Sequence, residues 1–443
     1  MNEQQSWNRT VWRLAGPIML SNVSVPLLGI VDTAVVGQLP GAHYIGAVAV
    51  GAQIFSIVYW GFGFLRMGTT GFTSQSLGMG DMDQVRAYLI RSFIIAGIAG
   101  LALIILQRPI MWGTVAIIAP SEQVAALADA YFSIRIWGAP FVLMGYALLG
   151  WFVGIQRTGA VLLVQLGMNV LNIGLDLLFV LGFGWGVEGV ALATVISEVV
   201  ATIFGCWIAF RTARSLGGIW RWDLVRQWNR LKRMMLLNRD ILFRTLCLEA
   251  AFVTFTAISA RMGDTVLAAN AVLFLFQGLM AYGLDGFAHA VETLSGKAYG
   301  ARNLSHFKGA IRATTLWSIG FSVPVAIAYW FFGEMAVDML TKTQAVRDVA
   351  YTYLPWIAIL PVLSVWSFQL DGIFFGLTRA GDMRNAMILS LAIYGIAVAV
   401  LIEPLGNHGL WLAFCIFMVA RAITLSAFLP RLSALIESGP NHG

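Results

Sequence analysis

Gly16-Pro17-Ile18-Met19-Leu20-Ser21-Asn22-Val23-Ser24-Val25-Pro26-Leu27-Leu28-Gly29-Ile30-Val31-Asp32-Thr33-Ala34-Val35-Val36-Gly37 is long and apolar enough to cross a bilayer. Yet it holds a carboxylate and two prolines. A charged Asp at the bilayer centre costs about 2.5–3.5 kcal/mol on insertion scales. Asp32 is therefore expected to face a cavity, find partners or bind a proton. Pro17 and Pro26 each remove an amide donor and free a carbonyl four residues back, on Arg13 and Asn22. Such a helix can bend, and it carries a group that can titrate.

The rest of the chain is equally apolar. Its 443 residues are 59% hydrophobic and 11% charged, with a mean hydropathy of +0.78. A soluble domain is about 25% charged. At about 20 residues per span, the apolar runs predict twelve helices. They lie near 13–37, 46–71, 89–107, 124–154, 160–183, 188–210, 238–260, 266–294, 310–332, 349–376, 386–403 and 409–430. The expected class is an all-α polytopic membrane protein with almost no soluble domain.

A net charge of +6 is compatible with a nucleic-acid partner, but its distribution argues against one. With the N-terminus in the cytoplasm, the outer loops hold only Arg108, Arg261, Lys342 and Arg347 of the 28 Lys+Arg. Arg66, Arg135 and Arg421 lie within spans, and the rest face the cytoplasm. This is the positive-inside pattern, so both termini are expected inside a bacterial inner membrane. The basic excess then faces anionic lipid headgroups. The first apolar run is too long for a cleaved signal peptide. Cys206, Cys247 and Cys415 form no metal or redox motif, and neither H-E-x-x-H nor a P-loop occurs. No catalytic site, metal or organic cofactor is expected. A pump of this kind draws on an ion gradient or on a separate ATPase.

The two halves of the chain repeat. A shift of 222 carries Tyr131 to Tyr353, Gly150 to Gly372, Gly154 to Gly376, Arg157 to Arg379, Gly159 to Gly381, Gly78 to Gly300 and Arg86 to Lys308. Near the end the shift slips to 220, where Gly186-Val187-Glu188-Gly189 meets Gly406-Asn407-His408-Gly409. Six spans per half is an even number, so both halves enter from the same side. The fold is read as two six-helix lobes related by a parallel pseudo-two-fold repeat, an architecture with its substrate site between bundles. The lobes are assigned to 1–210 and 238–443. Residues 211–237, with Trp220, Trp222 and Trp228 among arginines, form an amphipathic cytoplasmic connector.

Polar residues inside the spans mark the candidate site. Gln165, Asn169, Asn172 and Asp176 are spaced 4, 3 and 4, which puts them on one helix face. Amides also glue helices together, so the stripe alone has two readings. The functional one gains from Asp32 and Asp176. Two carboxylates close together and away from water resist double ionisation, and the pair then takes a proton or a cation near neutral pH. Asn172 can orient the pair, and Thr194 is a further ligand. Glu198 is either a second proton group or a structural partner. Arg66 and Arg135 are read as structural, Arg135 pairing with a carbonyl or a carboxylate. The second half has Glu249, then Asp285, His289 and Glu292 at spacings of 4 and 3, and Asp371. His289 beside Asp285 is either a proton relay or a satisfied internal hydrogen bond.

These residues resemble the multidrug and toxic compound extrusion (MATE) family, in particular its DinF-like branch. The landmarks are Gly16-Pro17, Val31-Asp32-Thr33 with Gly37, Gly150-x-x-x-Gly154 with Arg157, Asn172-x-x-x-Asp176, Gly189-Val190-Ala191-Leu192-Ala193-Thr194, Leu370-Asp371-Gly372 and Thr378-Arg379. The resemblance implies two six-helix lobes in a V and exchange of an ion for amphipathic, often cationic, toxic compounds. It implies an ion site of Asp32, Asn172, Asp176 and Thr194, with Tyr131 near the pocket. It implies bending of the first helix at Pro17 when the site is protonated. A sodium-coupled branch uses a second-lobe site whose glutamate matches Glu249. Its aspartate does not align cleanly with Asp371, which favours coupling in the first lobe.

The expected function is a secondary multidrug exporter, most simply a proton antiporter working by alternating access as a monomer among membrane lipids. Alternatives are a sodium antiporter using Glu249, a lipid or amphiphile flippase, or a gated channel. An enzyme is not expected.

Overall fold

A backbone in hydrocarbon must satisfy its own hydrogen bonds, and a helix does so within a single segment. The computed structural model describes residues 3–39, 41–118 and 121–438, and every long element in it is a helix. The first, α1, is Glu3–Val36. Eleven more helices among the described residues are long and apolar enough to cross a membrane. They are α2 (His43–Met79), α3 (Met82–Ile105), α4 (Glu122–Gly154), α5 (Thr158–Gly182), α6 (Val187–Leu216), α7 (Trp228–Arg261), α8 (Asp264–Gly300), α9 (Leu304–Leu340), α10 (Gln344–Gly376), α11 (Ala380–Leu405) and α12 (Asn407–Leu432). Together with α1 they supply the twelve expected spans. Large side chains such as Ile57, Ile98, Phe331 and Val400 stand exposed along them, as a surface solvated by acyl chains requires.

The helices form two compact units, Leu20–Lys232 and Arg233–Gly443 joined by Met1–Met19. These bounds differ from the sequence-based 1–210 and 238–443 at both ends. The first part of α1 packs in the second unit because its apolar stripe of Val11, Leu14 and Ala15 has partners there in Phe287, Ala290 and Leu294. Asn8 also accepts a hydrogen bond from Trp317 Nε1 at 3.0 Å. The connector is shorter than 211–237, because α6 runs on to Leu216 and α7 starts at Trp228.

Between them lies one short helix, Trp222–Val225, fastened to the start of α3. Arg86 Nη2 donates to Ala213 O at 2.6 Å, and Asp83 Oδ1 accepts from the Ile219 amide at 2.7 Å. The fully buried Arg91 donates to the carbonyls of Leu224 and Val225.

The duplication persists in the backbone. Helices start at 42 and 264, 82 and 304, 122 and 344, and 158 and 380, all 222 apart. Positive φ recurs at the same interval, at Gly41 and Gly263, Gly80 and Arg302, and Gln156 and Thr378. Then α6 starts at Val187 and α12 at Asn407, which is the slip to 220.

The repeated Gly-x-x-x-Gly has one physical job in each unit. A Cβ on Gly150 would stand 2.3 Å from Arg66 O, and one on Gly154 would stand 3.0 Å from Thr70 O. A Cβ on Gly372 would stand 2.4 Å from Ala288 O, and one on Gly376 would stand 2.2 Å from Glu292 O. Small residues let α4 lie backbone-to-backbone on α2, and α10 on α8. Gly150→Ala should therefore cost about 1–3 kcal/mol. That lowers the melting midpoint by several degrees, at about 2–4 °C per kcal/mol. Gly159→Ala, with nothing within 4 Å of the added carbon, should leave the midpoint unchanged or raised. Thermal unfolding in detergent checks both.

Candidate functional site: a buried acid pair beside a cavity

Asp32, near the end of α1, and the fully buried Asp176, on α5, bring their carboxyl groups within hydrogen-bonding reach of each other. Each keeps its Oδ1 buried without a donor among the described residues. Asn172 lies one turn before Asp176 on the same face. With its amide nitrogen toward the acid, it donates to Asp176 Oδ2 at 3.2 Å and accepts from the Thr194 amide at 3.3 Å. Thr194 Oγ1 donates to Val190 O at 2.9 Å. The four residues named from the sequence thus come together within one unit.

The polar stripe on α5 both bonds to a neighbouring helix and faces a cavity. Asn169 Nδ2 donates to Ser24 Oγ at 2.9 Å, tying α5 to α1. Gln165 Nε2 donates to Asn169 Oδ1 at 3.2 Å. Gln165, Asn169 and Asn172 also line a cavity of about 300 Å³ with Tyr59, Tyr146 and Thr194. Arg135, Ser197, Glu198 and Thr202 also line it, and its apolar walls include Val25 and Leu28 from α1. Pro17 and Pro26 both lie inside α1, which runs as one helix from Glu3 to Val36.

Arg135 belongs to the same constellation, although the sequence reading treated it as structural. Its Nη1 donates to Tyr131 OH at 2.8 Å, and its Nη2 lies 3.6 Å from Glu198 Oε1. The guanidinium sits 4.8 Å from the centre of the Phe55 ring. Its charge also reaches Asp32 and Asp176. The available signal was an arginine inside a span, which demands a buried counter-ion.

The backbone is irregular beside these residues. A 3₁₀ turn, Ile136–Gly138, follows Arg135 directly. A π-helical turn, Leu177–Gly182, follows Asp176. The break in α2 at Phe62–Gly63 comes just after Tyr59, with hydrogen bonds from Phe62 N to Tyr59 O and from Gly63 N to Trp60 O. At the matching positions α8, α10 and α11 are unbroken. Irregular backbone inside spans gathers where function needs re-aimed side chains.

The second unit carries its own candidate acids, and the fully buried Glu292 lies on α8 three residues after His289. Asp371 Oδ2 accepts from Arg421 Nη2 at 2.7 Å and also from Arg244. Two arginines therefore meet that carboxylate. His289 Nδ1 lies 2.6 Å from the main-chain oxygen of Asp285, so the spacing of 4 is met by a local contact within the helix. Glu249 is half-buried on α7 with no hydrogen bond or ion pair among the described residues. Among those residues no three His, Cys, Asp or Glu side chains gather as a metal site. The oxygens of Asp32, Asn172, Asp176 and Thr194 suit a proton or an alkali cation.

Comparison with known proteins adds family evidence. The MatE family model matches the chain twice, over residues 17–178 and 241–401. The chain is 40% identical over 428 residues to DNA damage-inducible protein F of Escherichia coli (strain K12), spanning 96% of this chain and 93% of that one. It is 26% identical to the multidrug export protein MepA of Staphylococcus aureus (strain N315), spanning 93% and 91% of the two. A solved MATE in a bent conformation shares the fold at a TM-score of 0.89, with 20% identity over 99% of each chain. A MATE in a straight conformation shares it at 0.86, with 20% identity over 97% of each chain.

Removing Arg135 alone strands a buried carboxylate. Arg135→Met should therefore destabilise by about 3–5 kcal/mol, and adding Glu198→Leu should recover most of that loss. Thermal unfolding of the two single variants and the double variant checks the cycle.

Proposed function

Because this chain belongs to the MatE family of multidrug and toxic compound extrusion transporters, a multi-pass membrane efflux family, we propose that it is a proton-driven antiporter exporting amphipathic, cationic compounds. The observation that carries the coupling is the approach of Asp32 to Asp176. Two charges there repel, and one shared proton removes the repulsion. Asn172 donates to the charged form of Asp176 and so keeps a proton-free state accessible. The adjoining cavity, apolar with a few convergent polar groups, suits an amphipathic guest.

Helix α1 joins the two events. Asp32 belongs to the acid pair, while Val25 and Leu28, up to two turns earlier, line the cavity. Protonation from outside removes one of the pair's two charges, and with it their repulsion, and frees α1 from that constraint. The helix then bends where Pro17 and Pro26 have removed backbone hydrogen bonds, and it narrows the cavity around the substrate. That relatives of this fold are described in bent and straight conformations supports the step. Coupling through Glu249 with sodium is less favoured, because Asp371 is already held by two arginines. The outer loops' poverty in Lys and Arg supports an inner-membrane protein with cytoplasmic termini.

Efflux from proteoliposomes under a pH gradient or a sodium gradient, imposed separately, tests this reading. Wild type and Glu249→Gln should both respond to the pH gradient. Asp32→Asn should insert and fold but fall to the level of empty liposomes. Transport driven by sodium alone, or wild-type efflux from Asp32→Asn, overturns the proposal.

A further inference from the structure

The proton chemistry of Asp32 and Asp176 leaves unused an ion pair in the same cavity wall. Glu198 is on α6, one turn beyond Thr194, with its side chain only 9% exposed. Its Oε1 is 3.6 Å from Arg135, long for a buried ion pair. Its Oε2 has no hydrogen-bond donor among the described residues. That oxygen rests on the backbone of Gly138, where a Cβ would stand 2.3 Å away. A carboxylate kept only for stability is expected to have its lone pairs satisfied.

Arg135 is also loosely held. Its Nε has no partner among the described residues, its Nη1 is on Tyr131, and its face is on Phe55. It lies within electrostatic range of three carboxylates, Glu198, Asp32 and Asp176. Tyr59, Tyr131 and Tyr146 are the other titratable groups facing Glu198, and Tyr59 and Tyr146 line the cavity with it. Two phenol rings beside a carboxylate form a recognition surface for an organic cation.

We propose that Glu198 is the residue that selects positive charge on the substrate, and that Arg135 is its resident counter-ion, displaced when the substrate's cation arrives. This rests on the cavity being the substrate site. In the empty cavity Arg135 pairs with Glu198. An organic cation settles against Glu198, Tyr59 and Tyr146 and takes over that carboxylate. The guanidinium then turns toward Asp32 and Asp176, where its positive charge favours release of the shared proton. One positive charge enters and one proton leaves, so the charge of the cavity is unchanged. When a proton returns to the acid pair, Arg135 goes back to Glu198 and displaces the substrate's cation. The Asp pair thereby sets coupling, and Glu198 sets charge preference.

Equilibrium binding of tetraphenylphosphonium and of neutral triphenylphosphine oxide to purified protein separates these roles. Wild type should prefer the cation. Glu198→Gln should weaken tetraphenylphosphonium binding at least about tenfold, roughly 1.4 kcal/mol, and leave the neutral probe within about twofold. Because Glu198→Gln leaves Arg135 without its carboxylate and can fail to fold, Arg135→Met with Glu198→Gln is measured beside it, with the same expectation. A folded Glu198 variant that keeps the wild-type ratio, or that loses both probes equally, overturns this proposal alone. A wild type that binds neither probe overturns the cavity as the substrate site, and this proposal with it.

Discussion

Two carboxylates at hydrogen-bonding reach inside an apolar bundle cannot both keep a full negative charge without a compensating group. Asp32 and Asp176 are placed under that constraint, and the first unit is arranged around it. Asn172 and the Thr194 amide steady one acid, and Arg135 supplies a positive charge nearby. Three spans give up regular geometry next to Tyr59, Arg135 and Asp176. The acid pair also recruits α1, whose cavity-facing residues precede Asp32 by up to two turns. One helix thus carries both a member of the acid pair and part of the cavity wall.

The second unit has the same frame without this constraint. Its helices start at the same intervals, and its Gly372 and Gly376 bring α10 onto α8 as Gly150 and Gly154 bring α4 onto α2. The position matching Asp32 is Thr254, and Asp176 is matched by an apolar residue. At Asp371, one of the acids within its spans, Arg244 and Arg421 meet the charge. Duplication supplied two scaffolds, and the first carries acids at these two positions where the second does not.

The spans, the repeat and the polar face of α5 were legible because each depends on spacing along the chain. Asn172 and Asp176 share a face by helical period, and Gly150 and Gly154 repeat at a fixed interval. Partners set by the rotation of one helix against another were not legible. Arg135 and Glu198 are 63 positions apart, and Asp371 reaches Arg244 and Arg421 across 127 and 50 positions. Charge alone demanded that each have a counter-ion but did not name it. The π turn after Asp176 and the departure of α1 through Met19 into the second unit likewise follow from packing rather than from local pattern.

The central claim is that cation binding and deprotonation of the acid pair are one exchange. It is tested most directly by counting protons released into weakly buffered detergent solution, near neutral pH, as tetraphenylphosphonium is added. The account predicts release by the wild type in proportion to bound cation, and none by Asp32→Asn or Asp176→Asn. Binding without proton release in the wild type, or undiminished release in either variant, would contradict it.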